Sequence, residues 1–214
     1  MLRARQISHS FETLLYENLD MSINAGESAA ILGVSGSGKS TILNNLSTML
    51  KPLKGRVGLL GYEDIYALSQ EKLLDLRRYD VGIIFQAHYL FRGFSGVENL
   101  QVASILASLP IQDSLLEDLG IKDVVHQNIG ELSGGQQQRF SIARVLTKRP
   151  KIIFADEPTG NLDKQTAHNV MDMIHAYIRT HQASLVLATH DEGIARRCTY
   201  VFRLQDKKLT PIKL

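Results

Sequence analysis

Apolar residues repeat in two periods along this chain. Short apolar runs stand at Ser28–Leu32, Val81–Phe85, Ile152–Ala155 and Leu185–Ala188. The last two are uniformly apolar, the pattern of parallel strands buried on both faces. Residues 2–8 and about 14–23 read as two strands around a turn at Ser10-Phe11-Glu12. Ala25-Gly26-Glu27 makes a second turn before the next strand. Helical spacing begins at Thr41 and is expected to stop near Met49, because Pro52 and Gly55 follow. Arg56–Leu60 reads as a short strand, and Ser69–Arg78 as a helix. From Gly96 to about Lys148 the period is helical, with helices predicted at Val97–Leu109, Ile111–Leu119 and Ser133–Thr147. Lys164–Thr180 is a further helix, and Thr199–Leu204 with Lys207–Ile212 a closing hairpin. Strands alternating with helices predict an α/β fold with a mostly parallel sheet. An N-terminal antiparallel part and a helical sub-domain inserted at about residues 92–148 complete it, all within one domain over residues 1–214.

Composition narrows this picture little. The chain has 214 residues, 44% hydrophobic and 21% charged, ordinary for a folded domain. A formal charge of +2 gives no ground for a nucleic-acid partner. Cys198 is the single cysteine, which rules out a disulfide framework. The first residues lack the apolar core of a signal peptide, and no apolar run reaches the roughly 20 residues that span a bilayer. A membrane role is therefore expected to come through a partner. No further domain is expected after the closing hairpin.

The chemistry gathers at three places. Gly33-Val34-Ser35-Gly36-Ser37-Gly38-Lys39-Ser40-Thr41 fits the phosphate-cradling loop G-x-x-x-x-G-K-[ST], set between a strand and a helix as it must be. Its glycines let backbone N–H groups point at phosphate oxygens, and the following helix presents its positive end to the same anion. Lys39 reaches the β- and γ-phosphates, and the Ser40 hydroxyl is a hard ligand for Mg²⁺. The second place is Asp156-Glu157, at the end of an apolar strand. Asp156 suits the Mg²⁺ shell, and Glu157, expected to face the other way along the pleat, suits a general base for the attacking water. The third is Leu132-Ser133-Gly134-Gly135-Gln136. Ser133 and Gln136 have capping-box spacing, so the segment is either a second anion site or simply a capped helix.

These segments, with Gln86, Gly160-Asn161-Leu162-Asp163 and His190, stand in the order and spacing of an ABC-type ATPase cassette, which the whole chain resembles. The resemblance implies a P-loop NTPase core that binds ATP with Mg²⁺. It implies a head-to-tail dimer with a second copy of the chain. Each ATP then lies between Gly33–Thr41 of one copy and Ser133, Gly134, Gly135 and Gln136 of the other. Gln86 would couple the Mg²⁺/γ-phosphate region to an integral membrane permease, Asp163 would cross the dimer interface, and His190 would contact the γ-phosphate. Phe11 lies about where such cassettes stack an aromatic on adenine; Tyr16 is its rival, but sits inside a strand.

The segments 76–86, 94–100 and 157–163 are most similar to the compact cassettes of the LolD, MacB and FtsE branch, which serve lipoprotein release, macrolide or peptide export and cell division. His88-Tyr89-Leu90 with Phe94 resembles the lipoprotein-releasing type most. Ile129-Gly130 stands before Glu131 where many relatives carry a proline, read as a local change in the loop. The resemblance places the protein on the cytoplasmic face of the inner membrane. A groove between the Gln86 loop and the helical sub-domain is expected to take a helix of the permease, with Tyr89, Phe91 and Phe94 as its apolar contacts or else packed on their own sub-domain. A soluble cassette acting on DNA or ribosomes is the alternative from another class. His168, His175 and His181 are expected to be solvated, and His88 stays open between a partner-facing residue and an ordinary one.

Overall fold

The computed structural model describes all of residues 1–214. Strands β1 (Leu2–Ser10), β2 (Leu14–Ile23), β3 (Ser28–Leu32), β4 (Lys54–Leu59), β5 (Val81–Ile84), β6 (Ile152–Asp156), β7 (Ser184–Thr189), β8 (Tyr200–Gln205) and β9 (Lys208–Ile212) form two sheets. One is antiparallel, in the order β2-β1-β4. The other has six strands in the order β5-β6-β7-β3-β8-β9, parallel except for β9. The β8–β9 hairpin turns on Asp206 and Lys207, both at positive φ, as a two-residue turn of matching twist requires.

Alternate residues of the central strands feed opposite faces of the six-stranded sheet. Ala30, Leu32, Ile153, Ala155, Leu185 and Leu187 pack on one side, against helices α5 (Gly134–Thr147) and α6 (Lys164–His181). Ala29, Ile31, Phe154, Val186 and Ala188 pack on the other, against α1 (Lys39–Leu46) and the antiparallel sheet. Both faces are therefore dry, which explains the continuous apolar runs. Helices α2 (Gln70–Asp75), α3 (Gly96–Ala107), α4 (Asp113–Asp118) and α7 (Glu192–Ala195) complete the fold. No helix is long and apolar enough to cross a membrane.

Register decides where the chemistry goes. Leu32 of β3 pairs with Thr189 of β7, Asp156 of β6 with Ala188, and Ala155 with Ile84 of β5. These strands are parallel and end level, so the segments after them emerge at one carboxyl edge, where open α/β sheets bind ligands. Those segments begin at Gly33, Phe85, Glu157 and His190, with Gln86 the second residue of its segment.

Element ends shift from the pattern-based expectation, α3 ending at Ala107 and β4 running Lys54–Leu59, and three helices show why. Helix α1 stops at Leu46 rather than near Met49: Thr48 takes a left-handed conformation, and the Met49 and Leu50 amides both donate to Asn44 O. The helix expected over 69–78 holds only to Asp75, then widens into a single π turn over Leu76–Asp80. The 111–119 helix shortens to Asp113–Asp118, with Gly120 left-handed behind it.

His175 is a correction. It lies on the buried stripe of α6 with Met171, Ile174 and Ile178, only 7% exposed, while His181 is exposed and His168 half-buried. Burial, with Arg197 and Arg179 adding to it, pushes the His175 imidazole down from 6.5 to about 4, against a weaker opposing pull from Asp172. Between those values the unfolded chain binds a proton that the folded chain refuses, so stability falls as pH drops from 6.5 towards 4. Thermal melts across that range should show a steeper acid loss for the native chain than for His175→Leu; parallel profiles would contradict it.

Candidate nucleotide site

The loop after β3 is built for close approach. A Cβ on Gly33 would sit 2.8 Å from Ser37 Oγ and 3.2 Å from Leu204 O, so a larger residue would have to displace its neighbours. Gly38 caps α1 at φ +106, open in practice only to glycine. Lys39 is buried and curls over the loop, its ammonium donating to Gly33 O at 2.8 Å and Val34 O at 3.0 Å. Ser37 Oγ is buried without a hydrogen-bond partner. An orphaned hydroxyl inside a glycine cradle is what a phosphate oxygen would satisfy. Ser35, Gly36 and Ser40 are exposed and Thr41 half-buried at the mouth.

The loop flanks a cleft of about 730 Å³, large enough for a nucleotide. Gly33, Val34, Gly36 and Ser37 form one wall, Thr13–Leu15 another, and residues 203–207 a third, with His190 at the rim. Phe11 lies on the turn just before Thr13, 66% exposed, with its ring edge-on to His9 at 5.0 Å between centroids. Tyr16 is fully buried, and its hydroxyl donates to Asn45 Oδ1. It is a core residue and unavailable for stacking.

Asp156 and Glu157 occupy different environments. Burial raises the Asp156 carboxyl above the usual range, and nearby Glu157 adds to this; a hydrogen bond from Ser40 and the charge of Lys39 pull it back. Ser40 and Asp156 thus meet beside Lys39. No group of three or more His, Cys, Asp or Glu side chains in the chain is placed to hold a metal ion. A Mg²⁺ here would rest on one hydroxyl, one carboxylate, waters and phosphate oxygens, the mode this ion prefers. The donor set fits.

Glu157 does not continue the pleat of β6, contrary to expectation. The strand ends at Asp156, and Glu157 turns into a left-handed conformation at φ 45, its N–H donating to Ala188 O at 3.0 Å. That strained turn aims the side chain at β7. Glu157 Oε1 lies 2.8 Å from His190 Nδ1, and Oε2 accepts from Thr189 Oγ1 at 3.3 Å. An ionised carboxylate only accepts, so Nδ1 of His190 carries the proton. Thr189 was not singled out from the sequence, although its place at the end of an apolar strand before His190 could have marked it.

Ser133–Gln136 stand apart from this group. Ser133 Oγ accepts from Gln136 N at 3.2 Å, and Gln136 Oε1 accepts from Ser133 N at 2.8 Å, a complete capping box. Ser133 and Gly134 are exposed, and none of the four residues lines the cleft. Asp163 caps α6, accepting from Thr166 N at 3.0 Å; the Thr166 hydroxyl and then this N–H hold its carboxyl below the usual range. Gln86 is exposed just past β5. Tyr89, Phe91 and Phe94 are exposed as well, with the two phenylalanine rings 5.4 Å apart.

A phosphate loop at the level edge of a doubly covered parallel sheet, with a carboxylate pair and a histidine beside it, narrows the family. The family model for ABC transporters matches residues 16–160. The chain belongs to the ABC transporter family. It is an ATP-hydrolysing cassette of that family, and it uses ATP with Mg²⁺. It is 36% identical to the lipoprotein-releasing system ATP-binding protein LolD 1 of Caulobacter vibrioides, over 98% of this chain and 94% of that one. It is 37% identical to the macrolide export ATP-binding/permease protein MacB of Burkholderia cenocepacia, over 92% of this chain but 30% of that longer one. Among solved structures it is similar to the ATP-binding cassette MJ0796, a dimer in a post-hydrolysis state bound to ADP and Pi. The TM-score is 0.89 at 29% identity, covering 100% of this chain and 99% of that one. The cassette thus has the architecture of the dimeric ABC ATPases.

Proposed function

We propose that residues 1–214 act as a single cassette, with a helical unit at about residues 92–148, and that two copies close head to tail around two ATP molecules. The observation that carries this reading is the exposed, fully capped start of α5, which lines no part of its own chain's phosphate cleft. A glycine-bearing helix end is an anion site in waiting, and the anion it meets is then the ATP held by the other copy. The Gly33–Thr41 amides and Lys39 hold the phosphates, and Phe11 stacks on adenine. Ser40 and Asp156 hold Mg²⁺, with Gln86 beside it; the ion supplies charge that offsets the phosphates. Glu157 takes the proton of the attacking water. His190 stands between two anions, the Glu157 carboxylate and the γ-phosphate, and when protonated donates to both. Asp163 reaches across the interface.

Closing and opening of this pair drives an integral membrane permease, which seats a helix between the Gln86 loop and the helical unit, against Tyr89, Phe91 and Phe94. The cassette is then peripheral, on the cytoplasmic face of the inner membrane. The task we assign is lipoprotein release, supported by near-full-length similarity to relatives of that name. Macrolide-type export is the second reading, favoured by the match to MacB. The test is affinity purification of the full chain from detergent-solubilised membranes, followed by reconstitution into lipoprotein-loaded vesicles. We expect a multi-span partner and ATP-dependent lipoprotein release. A stable soluble complex with ribosomes or DNA would sink the membrane reading; a partner complex that exports a macrolide and releases no lipoprotein would select the second.

A further inference from the structure

His88 lies two residues past Gln86 and turns into its own chain. The amide nitrogen of Gln137, on α5, donates to Ile129 O at 3.1 Å and Leu132 O at 2.9 Å. With both of its protons so used, the amide presents only Oε1, which stands 3.4 Å from His88 Nδ1. A carbonyl oxygen accepts, so Nδ1 carries the proton, and in the neutral ring Nε2 then holds the lone pair. Nε2 in turn lies 3.3 Å from Asn161 Nδ2, a donor. One neutral tautomer therefore satisfies both neighbours. The backbone behind the ring is held too: Arg144 of α5 donates to Tyr89 O at 2.7 Å and to His88 O at 3.4 Å, and Tyr89 sits at φ 47.

Gln137 and Asn161 lie 49 and 73 residues from His88 in sequence, and each of the three segments carries part of the site. Gln137 follows the Ser133 capping box. Asn161 follows the turn in which Gly160 N donates to Glu157 O at 3.1 Å, and its neighbour Leu162 rests 3.4 Å from where a Gly135 Cβ would be. We propose that His88, as its Nδ1–H tautomer, is a positioning residue for ATP hydrolysis that fixes the Gln86 loop, the start of α5 and the Gly160–Asp163 turn in one arrangement. This rests on the roles given above to Gln86, Ser133 and Glu157. His88 touches neither nucleotide nor metal in that reading, so it affects the chemical step through placement alone.

The test is steady-state ATP hydrolysis by the full chain with Mg²⁺, alongside thermal midpoints. His88→Ala should lower kcat about ten- to a hundredfold, as small misplacements at a reacting centre do, with KM for ATP and the midpoint held. Asn161→Ala should do the same, and the double variant should be no slower than either single one. His88→Gln, whose Oε1 can accept from Asn161 Nδ2, should recover much of the loss, but not when combined with Asn161→Ala. A kcat for His88→Ala within twofold of wild type, single losses that multiply, or a loss that follows a lowered midpoint and is not rescued by glutamine would overturn the proposal. Glu157→Gln in the same assay separates the two levels. If it is slow while His88→Ala is not, the His88 proposal alone fails. If it turns over normally, the reading of Glu157 fails and takes the proposal with it.

Discussion

Glu157→Gln should slow ATP hydrolysis about 10²–10⁴-fold, the usual loss when a general base is removed, while ATP binding persists. The substitution keeps the shape of the side chain and the left-handed backbone that aims it. Glu157 is only 12% exposed, and both its oxygens are engaged, by His190 and by Thr189. An amide can keep these contacts in part: its oxygen still accepts from Thr189, and its nitrogen faces His190, whose ring can offer a lone pair. What it cannot do is take a proton from water. Closure that depends on ATP should therefore proceed and stall. Light scattering should show an ATP-bound dimer accumulating with Glu157→Gln and turning over with the native chain. Normal turnover would remove Glu157 from the base role.

Much of the site was legible because its parts are local. The β3–loop–α1 unit, the Ser133/Gln136 capping box and the apolar strand before Asp156 are each a continuous stretch of chain, and each forms where the pattern places it, although α1 ends early. What escaped depends on conformations without a sequence signal, or on long-range contacts. Thr48 and Glu157 adopt left-handed backbone without being glycine, so neither the early end of α1 nor the departure of Glu157 from the pleat announced itself. The Thr189–Glu157 and His88–Asn161 contacts span 32 and 73 residues, and spacing cannot reveal them. His175 is a different case. It stands four residues after Met171 and one after Ile174, on the apolar stripe of α6, and periodicity would have placed it inside had residue type not outweighed it.

Ser133→Arg should leave ATP binding by a single copy intact and abolish the closed dimer, and hydrolysis with it. Binding survives because Ser133 lines no part of its own chain's cleft. Two local effects accompany the change. The lost cap weakens the first turn of α5 by roughly 1 kcal/mol, and a cation at a helix N-terminus opposes the dipole there. Ser133→Asn retains a capping side chain and should keep α5 as stable as in the native chain, so it separates loss of the cap from bulk and charge at the interface. The decisive form combines the two substitutions. Glu157→Gln alone should accumulate as an ATP-bound dimer; with Ser133→Arg added to both copies it should return to a monomer that still binds ATP. If the combined variant dimerises as readily as Glu157→Gln, the start of α5 is no part of the other copy's ATP site. The capping box would then serve only to begin a helix, which is all that Ser133 and Gln136 require of each other within one chain.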